Sequence, residues 1–327
     1  MDPAADRPLL DSTPASWVER APPKVRPFLR LARYDRPIGI WLLAGPSWLG
    51  IALANVDGQW RFLELVYAVL LGIGSIAMRG AGCTFNDIVD KDLDAQVART
   101  ADRPLPAGTV SVRDAWLFLA AQCVVGLLVL IMLPRAAQLA ALASIPVVAA
   151  YPFMKRITWF PQAWLGIALN WGVLVGFAAA TGRIGVELWL VFAGLAAWTF
   201  GYDTIYAHQD KEDDALVGVK STARLFGDRS RWAVLAAYEV AVLLLLVGAL
   251  VAAIGVADEG ARYAAAAAGM LTSAVFALML ARQVIHVRFD DPASCLAWFR
   301  TNRDAILAAA AVLAVAPLAL RPFFGGG

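Results

Sequence analysis

The sequence predicts an all-α, polytopic membrane protein: nine transmembrane helices in a single bundle, arranged as two four-helix halves plus one. Three observations carry this expectation. The 327 residues are 60% hydrophobic with a mean hydropathy of +0.63, well above a water-soluble domain of this length. Nine apolar runs, near 38–55, 62–85, 115–133, 136–153, 160–181, 186–205, 232–256, 262–281 and 305–321, approach the ~20 residues a helix needs to span a bilayer. The Lys and Arg residues then alternate loop by loop, 23 on the side of the N-terminus and five (Arg61, Arg135, Arg183, Arg262, Arg321) on the other. A span missed or invented mid-chain would scramble that alternation. It places the N-terminus in the cytoplasm and the C-terminus in the periplasm.

Residues 1–22, rich in Pro, Asp, Ser and Ala, read as a disordered arm. The arm carries Asp2, Asp6, Asp11 and Glu19, with neither the apolar core of a signal peptide nor the acid-poor composition of a transit peptide. The expectation is therefore a bacterial inner membrane with the working face toward the cytoplasm. Residues 23–36 interleave basic and apolar side chains, the pattern of an interfacial helix, and 37–327 read as the membrane-embedded domain. Gly45-Pro46 and Pro146 predict kinks in the first and fourth spans.

The polar composition narrows the chemistry. Cys83, Cys123 and Cys295 lie far apart, which excludes a disulfide framework or a thiolate zinc site, and two histidines leave little for a His-based metal site. A net charge of +2 is too small to suggest nucleic acid. Any metal should be a hard ion on oxygen ligands, magnesium or a close substitute.

Those oxygens come in two runs. After the second span, RGAGCTFNDIVDKDLDAQVARTADRPLPAG (79–108) packs Asp87, Asp90, Asp92 and Asp94 into eight residues. On a helix turning ~100° per residue, Asn86, Asp90 and Asp94 share roughly 80° of arc, with Asp87 at the edge and Asp92 pointing away. After the sixth span, Asp203, Asp210 and Asp214 fall within roughly 40° on a helix, with Tyr206 at the edge and Glu212 facing away. The two runs are four spans apart, which is the basis for the two halves. Carboxylates near a bilayer are costly, and solvated loop charges have no need of helical phase. Two aspartate faces suit magnesium ions bridging a diphosphate, whose phosphates complete the metal octahedron. At a membrane surface the obvious diphosphate is an allylic prenyl diphosphate, with an anionic head and a tail that belongs in lipid.

The segments RYDRPIGIWLL (33–43), 79–108, YPFMKRITWFPQAWLG (151–166) and YAHQDKEDDALVGVKSTARLFGD (206–228), with the weaker CLAWFRTNRD (295–304), resemble the UbiA superfamily of membrane prenyltransferases, in its branch acting on 4-hydroxybenzoate. The resemblance implies a nine-helix bundle and magnesium-dependent transfer of a polyprenyl group from polyprenyl diphosphate to 4-hydroxybenzoate. The new bond forms at the ring carbon ortho to the hydroxyl, a step of ubiquinone synthesis. Matched by position, Asn86, Asp90 and Asp94, with Asp87 completing an NDxxDxxxD pattern, and Asp210 with Asp214 are the implied metal and diphosphate ligands. A relative with another acceptor (haem, dihydroxynaphthoate or homogentisate) is the nearest alternative. A cation transporter fits less well, because the aspartates gather at one face and not at the midplane.

Other candidates surround these motifs. Arg79 meets a phosphate oxygen or snorkels at its helix end. Tyr151, Lys155 and Arg156 share the membrane side of the aspartates, with the two cations aimed at diphosphate or at the benzoate carboxylate. Arg36 is a further candidate for that carboxylate, or an interface anchor. Lys211 and Lys220 are loop cations within reach of phosphate. Asp203 orients the phenol, takes the ring proton, or bonds a neighbouring helix. Asn170, midway along the fifth span, either lines the pocket or joins helices.

Overall fold

The computed structural model describes residues 16–97, 100–216 and 218–324, leaving aside the side chains of Asp213 and Asp214. Every regular element among them is helical. Eight segments are long and apolar enough to cross a membrane: Phe62–Asp94, Val112–Ile131, Arg135–Ile157, Pro161–Thr181, Val186–Ala207, Thr222–Ile254, Glu259–His286 and Pro292–Phe324. The expected first span is the shorter apolar helix Ile38–Ala54.

The elements are α1 (Arg26–Leu31), α2 (Ile38–Ala54), α3 (Phe62–Asp94), α4 (Val112–Ile131), α5 (Arg135–Ala143), α6 (Ile145–Ile157), α7 (Pro161–Asn170), α8 (Gly172–Thr181), α9 (Val186–Ala207), α10 (Lys211–Leu216), α11 (Thr222–Phe226), α12 (Ser230–Ile254), α13 (Glu259–His286), α14 (Pro292–Arg300) and α15 (Asn302–Phe324). The fourth span does break, at Ser144, where Pro146 opens α6 from a position that needs no backbone N–H. In the first, α2 carries Pro46 inside a continuous helix. An unforeseen break at Trp171 divides the fifth span into α7 and α8.

Neighbouring helices close a ring. In it α2 packs on α15, α15 on α13, α13 on α12, α12 on α9, α9 on α7, and α8 returns to α2. The α2–α8 seam is backbone against backbone, since a Cβ on Gly176 would overlap the Ser47 carbonyl and one on Gly50 the Val173 carbonyl. On α9, Leu188, Val191, Leu195, Trp198, Tyr202 and Ile205 are all buried at helical spacing, which makes it the central strut. By contrast α3 shows Phe62, Leu65, Val69, Ile73 and Ile76 on its outer face, the side meant for lipid.

Two features position the site. At 33 residues, α3 is about 50 Å long against ~30 Å of hydrocarbon, so its last turns run past the apolar layer and carry the aspartates out with them. The N-terminal segment is also more structured than its composition suggests. Residues 1–15 lie outside the described residues, but Trp17–Arg20 forms a 3-10 turn that buries Val18 and pairs Glu19 with Arg30 at 2.6 Å. Within 23–36 the helix is only α1, and Leu31, Ala32, Arg33 and Asp35 turn inward against the bundle.

Candidate active site at the end of α3 and α9

The last two turns of α3 put Asp87 and Asp90 wholly inside the protein and Asp94 nearly so. Each is met by cations from another element. Arg33 Nη2 donates to Asp87 Oδ1 at 2.7 Å, from a residue in the left-handed region at φ +61°. Lys155 Nζ donates to Asp90 Oδ2 at 2.5 Å and Arg156 Nη2 to Asp90 Oδ1 at 3.0 Å, both from the end of α6. Arg103 Nη1 donates to Asp94 Oδ2 at 2.8 Å and stands 3.8 Å from Asp87 Oδ1. Thr100 Oγ1 closes the helix by donating to the Asp94 carbonyl. Burial works against the Arg33 charge, but Asp87, with Cys83, Asp35 and Asp94 nearby, outweighs it and raises the arginine's pKa.

Asp94 lines a polar cavity of about 230 Å³ together with Asp203, Asp210, Tyr206, Lys155 and Lys220, so the two aspartate runs meet there. The Asp214 side chain lies outside the described residues. Beyond α10, the chain is pinned over α6 and α7. The Lys220 N–H donates to the Lys155 carbonyl and Lys220 Nζ to the Ile157 carbonyl, both at 3.1 Å, and the Thr222 N–H donates to Gln162 Oε1 at 3.2 Å. His208, just past α9, sits beside Ser230 at 2.8 Å. Burial, reinforced by Lys211, pushes its pKa down to about 4.

Tyr151 is shared between this cavity and a second one of about 360 Å³. Arg79, Asn86 and Cys83 stand at the head of the second, and Leu71, Gly74, Val129, Leu133 and Trp171 carry its apolar wall on into the bundle. Arg79 packs on α2 where Gly39 leaves room; a Cβ there would strike the guanidinium. Its charge also reaches Asp203.

Several expectations change with this geometry. Asp87, expected among the metal ligands, is engaged by Arg33 and, like Asp90, lines neither cavity. Asn170 joins helices: its Nδ2 donates to the Gly166 carbonyl, the Leu195 carbonyl and Thr199 Oγ1, tying α7 to α9, while its neighbour Trp171 faces the apolar cavity. Lys211 lines neither cavity. Arg36 pairs with Asp35 at 3.3 Å and opens onto a third cavity, while its charge also reaches Asp87. Arg33 and Arg103 were not singled out from the sequence, because loop arginines on a positively charged side carry no local mark of what they face.

Among the described residues no three His, Cys, Asp or Glu side chains cluster tightly enough to hold a metal by themselves. Magnesium does not require it. It binds through one or two carboxylates and takes its remaining oxygens from water and substrate phosphates. Asp94 and Asp210 on one cavity, and Asn86 on the other, supply hard oxygen donors that fit this mode.

A model described as the UbiA prenyltransferase family matches residues 43–310. The mitochondrial 4-hydroxybenzoate polyprenyltransferase of Aedes aegypti is 44% identical over 284 residues, covering 85% of this chain and 60% of that relative's length. Its counterpart in Bos taurus is 42% identical over 302 residues, 90% of this chain and 76% of the relative. The apo structure of a UbiA homolog from Aeropyrum pernix K1 superposes with a TM-score of 0.65 at 25% identity, covering 86% of this chain and 97% of that one. A UbiA homolog from Archaeoglobus fulgidus bound to GPP and Mg2+ shares the fold at a TM-score of 0.62 and 17% identity, over 88% and 99% of the two chains. The relatives' names overturn the bacterial inner membrane: both are mitochondrial proteins, and the acidic residues of a short arm were too little to decide the compartment. The family match runs from the first apolar helix into the last and takes in both aspartate runs, so the chain belongs to the UbiA prenyltransferase family.

Proposed function

We propose that the chain transfers a polyprenyl group from polyprenyl diphosphate to the carbon ortho to the hydroxyl of 4-hydroxybenzoate, with magnesium, as a step in ubiquinone synthesis. One observation carries the reading. Asp94 and Asp210, from opposite halves of the chain, line one polar chamber, and that chamber meets a long apolar cavity at Tyr151. An anionic head joined to an isoprenoid tail fits that pair of spaces. The names of the relatives supply the acceptor.

In this reading Asn86, Asp90, Asp94, Asp210 and Asp214 hold magnesium and diphosphate. Magnesium, when bound, neutralises the charge that develops on the departing diphosphate. Lys155 and Arg156, which engage Asp90, would also meet diphosphate oxygens once the carboxylate is taken up by metal. Arg79 lines the tail cavity along with Tyr151, near where the allylic carbon would lie. The C–O bond breaks with its electron pair leaving on diphosphate. The ring carbon ortho to the hydroxyl gives a pair to the allylic carbon, and the ring proton passes to a base. Asp203, facing the chamber beside Tyr151, is the carboxylate placed for that proton or for orienting the phenol. The apolar wall keeps water from the cation in the interval.

Residues 37–327 act here as one membrane-embedded domain of nine spans. Its N-terminus and the aspartate chamber share the Lys/Arg-rich side, and its C-terminus lies on the other. Membranes given labelled 4-hydroxybenzoate and a prenyl diphosphate test the activity. Magnesium-dependent prenylated product, reduced roughly 100-fold or more by Asp90→Asn and by Asp210→Asn, is expected. Turnover indifferent to both aspartates, or to magnesium, would sink the reading.

A further inference from the structure

A third cavity, of about 320 Å³, takes no part in this chemistry. It lies between the start of α2 and the α14–α15 junction, and Arg36, Ile38, Trp41, Arg300, Thr301 and Arg303 are among the residues lining it. We propose that it binds the anionic phosphate headgroup of a membrane phospholipid.

The charge count favours an anion. Arg36 pairs with Asp35 at 3.3 Å and Arg303 with Asp304 at 2.8 Å, while Arg300 makes no ion pair among the described residues. Three guanidinium groups thus line the cavity with one carboxylate, Asp304, and guanidinium is the side chain that forks onto phosphate oxygens.

The junction that presents these arginines is built from inside. Asn302 is fully buried; its Oδ1 accepts from Trp198 Nε1 at 2.8 Å and Gln283 Nε2 at 3.1 Å, and its Nδ2 donates to the Phe299 carbonyl at 3.0 Å. This network locks one residue between Arg300 and Arg303, so both flank the cavity with little freedom in the backbone beneath them.

Depth and floor select a lipid over a soluble anion. Gly45 packs on Ile306, and Trp60 Nε1 donates to the Ala314 carbonyl, so α2 and α15 run in the same direction. Both therefore begin at the end of the bundle where α3 finishes with Asp94, and Ile38 marks the start of the apolar run. The guanidinium groups sit at headgroup level, with Ile38 and Trp41 below them to meet glycerol and the first methylenes. Basic pockets between helix ends and tryptophan at the interface are how membrane proteins hold such lipids. A free phosphate would share the arginines but leave the apolar floor unused.

Native mass spectrometry of the purified full chain, equilibrated with equal phosphatidylglycerol and phosphatidylcholine, reads the preference directly. The wild type is expected to retain the anionic lipid, and Arg300→Gln with Arg303→Gln to weaken it by about five-fold for each arginine removed. The paired Arg→Lys variant should keep most of the preference. If the glutamine pair does not fold, Arg300→Gln alone decides on the single five-fold loss. Undiminished retention in the glutamine variants overturns the proposal. So does displacement of the lipid by millimolar inorganic phosphate, which would make this a soluble-anion site, or by 4-hydroxybenzoate, which would make it an acceptor site. That last arm is independent of whether the aspartate chamber performs prenyl transfer.

Discussion

The carboxylates at the end of α3 and Asp203 near the end of α9 are alike in residue type, yet they keep different company. On α3 the three inward aspartates each have a cation from elsewhere in the chain: Arg33 for Asp87, Lys155 and Arg156 for Asp90, Arg103 for Asp94. On α9, Asp203 makes no hydrogen bond or ion pair among the described residues, and the charges that reach it are Arg79 and a second carboxylate, Asp210. Helical phase decides which face a carboxylate occupies. The company it keeps decides whether it is held for structure or left to draw a cation. Even within α3 the two uses separate, because Asp87 faces only chain cations while Asp94 also faces the chamber.

The sharpest way to break this contrast is at Asp87. Asp87→Asn or Arg33→Gln leaves one buried charge without its partner, an expected loss of about 3–5 kcal/mol, read as a lower melting temperature in detergent. The double variant should lose less than the two singles together. If Asp87→Asn melts normally but abolishes magnesium dependence, Asp87 returns to the metal ligands.

A smaller effect is expected at the end of α6. Lys155→Ala and Arg156→Ala should each raise the KM for prenyl diphosphate by roughly ten-fold, the worth of a hydrogen bond to a charged group. An unchanged KM would confine both cations to holding Asp90.

Smaller again is the pH response beside the second run. The unfolded His208 imidazole takes a proton near pH 6.5, whereas the folded one stays neutral to about 4. Its contribution is therefore intact above pH 6.5 and drains away as pH falls toward 4. His208→Gln should flatten the melting-temperature profile over that window, and an equally steep profile would assign the acid sensitivity to other groups. The smallest effect belongs to Asp92, exposed on the outer face of α3. Asp92→Asn should change stability by no more than about 0.5 kcal/mol and leave turnover unaltered.

Much of this was legible in the chain because it is written locally. Apolar runs mark the spans, and 100° steps put Asp90 and Asp94 on one side of a helix while turning Asp92 out. The helix break at Pro146 follows from a ring that cannot donate. What stayed hidden depends on partners distant in sequence. Nothing near Arg33 or Arg103 says that either faces a carboxylate, and nothing around Asn170 says that Thr199 waits across the α7–α9 seam. Asp87 shows the same limit: spacing puts it near the stripe, and only the fold shows that an arginine 54 residues away holds it.

The origins of those cations also set an order of events during synthesis. Arg33 is already in the chain when α3 is made, and Arg103 follows Asp94 by nine residues. The partners of Asp90 come 65 and 66 residues later, after α4 and α5. Asp87 can thus be neutralised as α3 enters the bilayer, and Asp94 a moment afterwards. Asp90, whose two cations both come from α6, must wait in water at the membrane surface until α6 arrives. The full charge balance of the first motif is a property that only a chain grown to nearly half its length can possess.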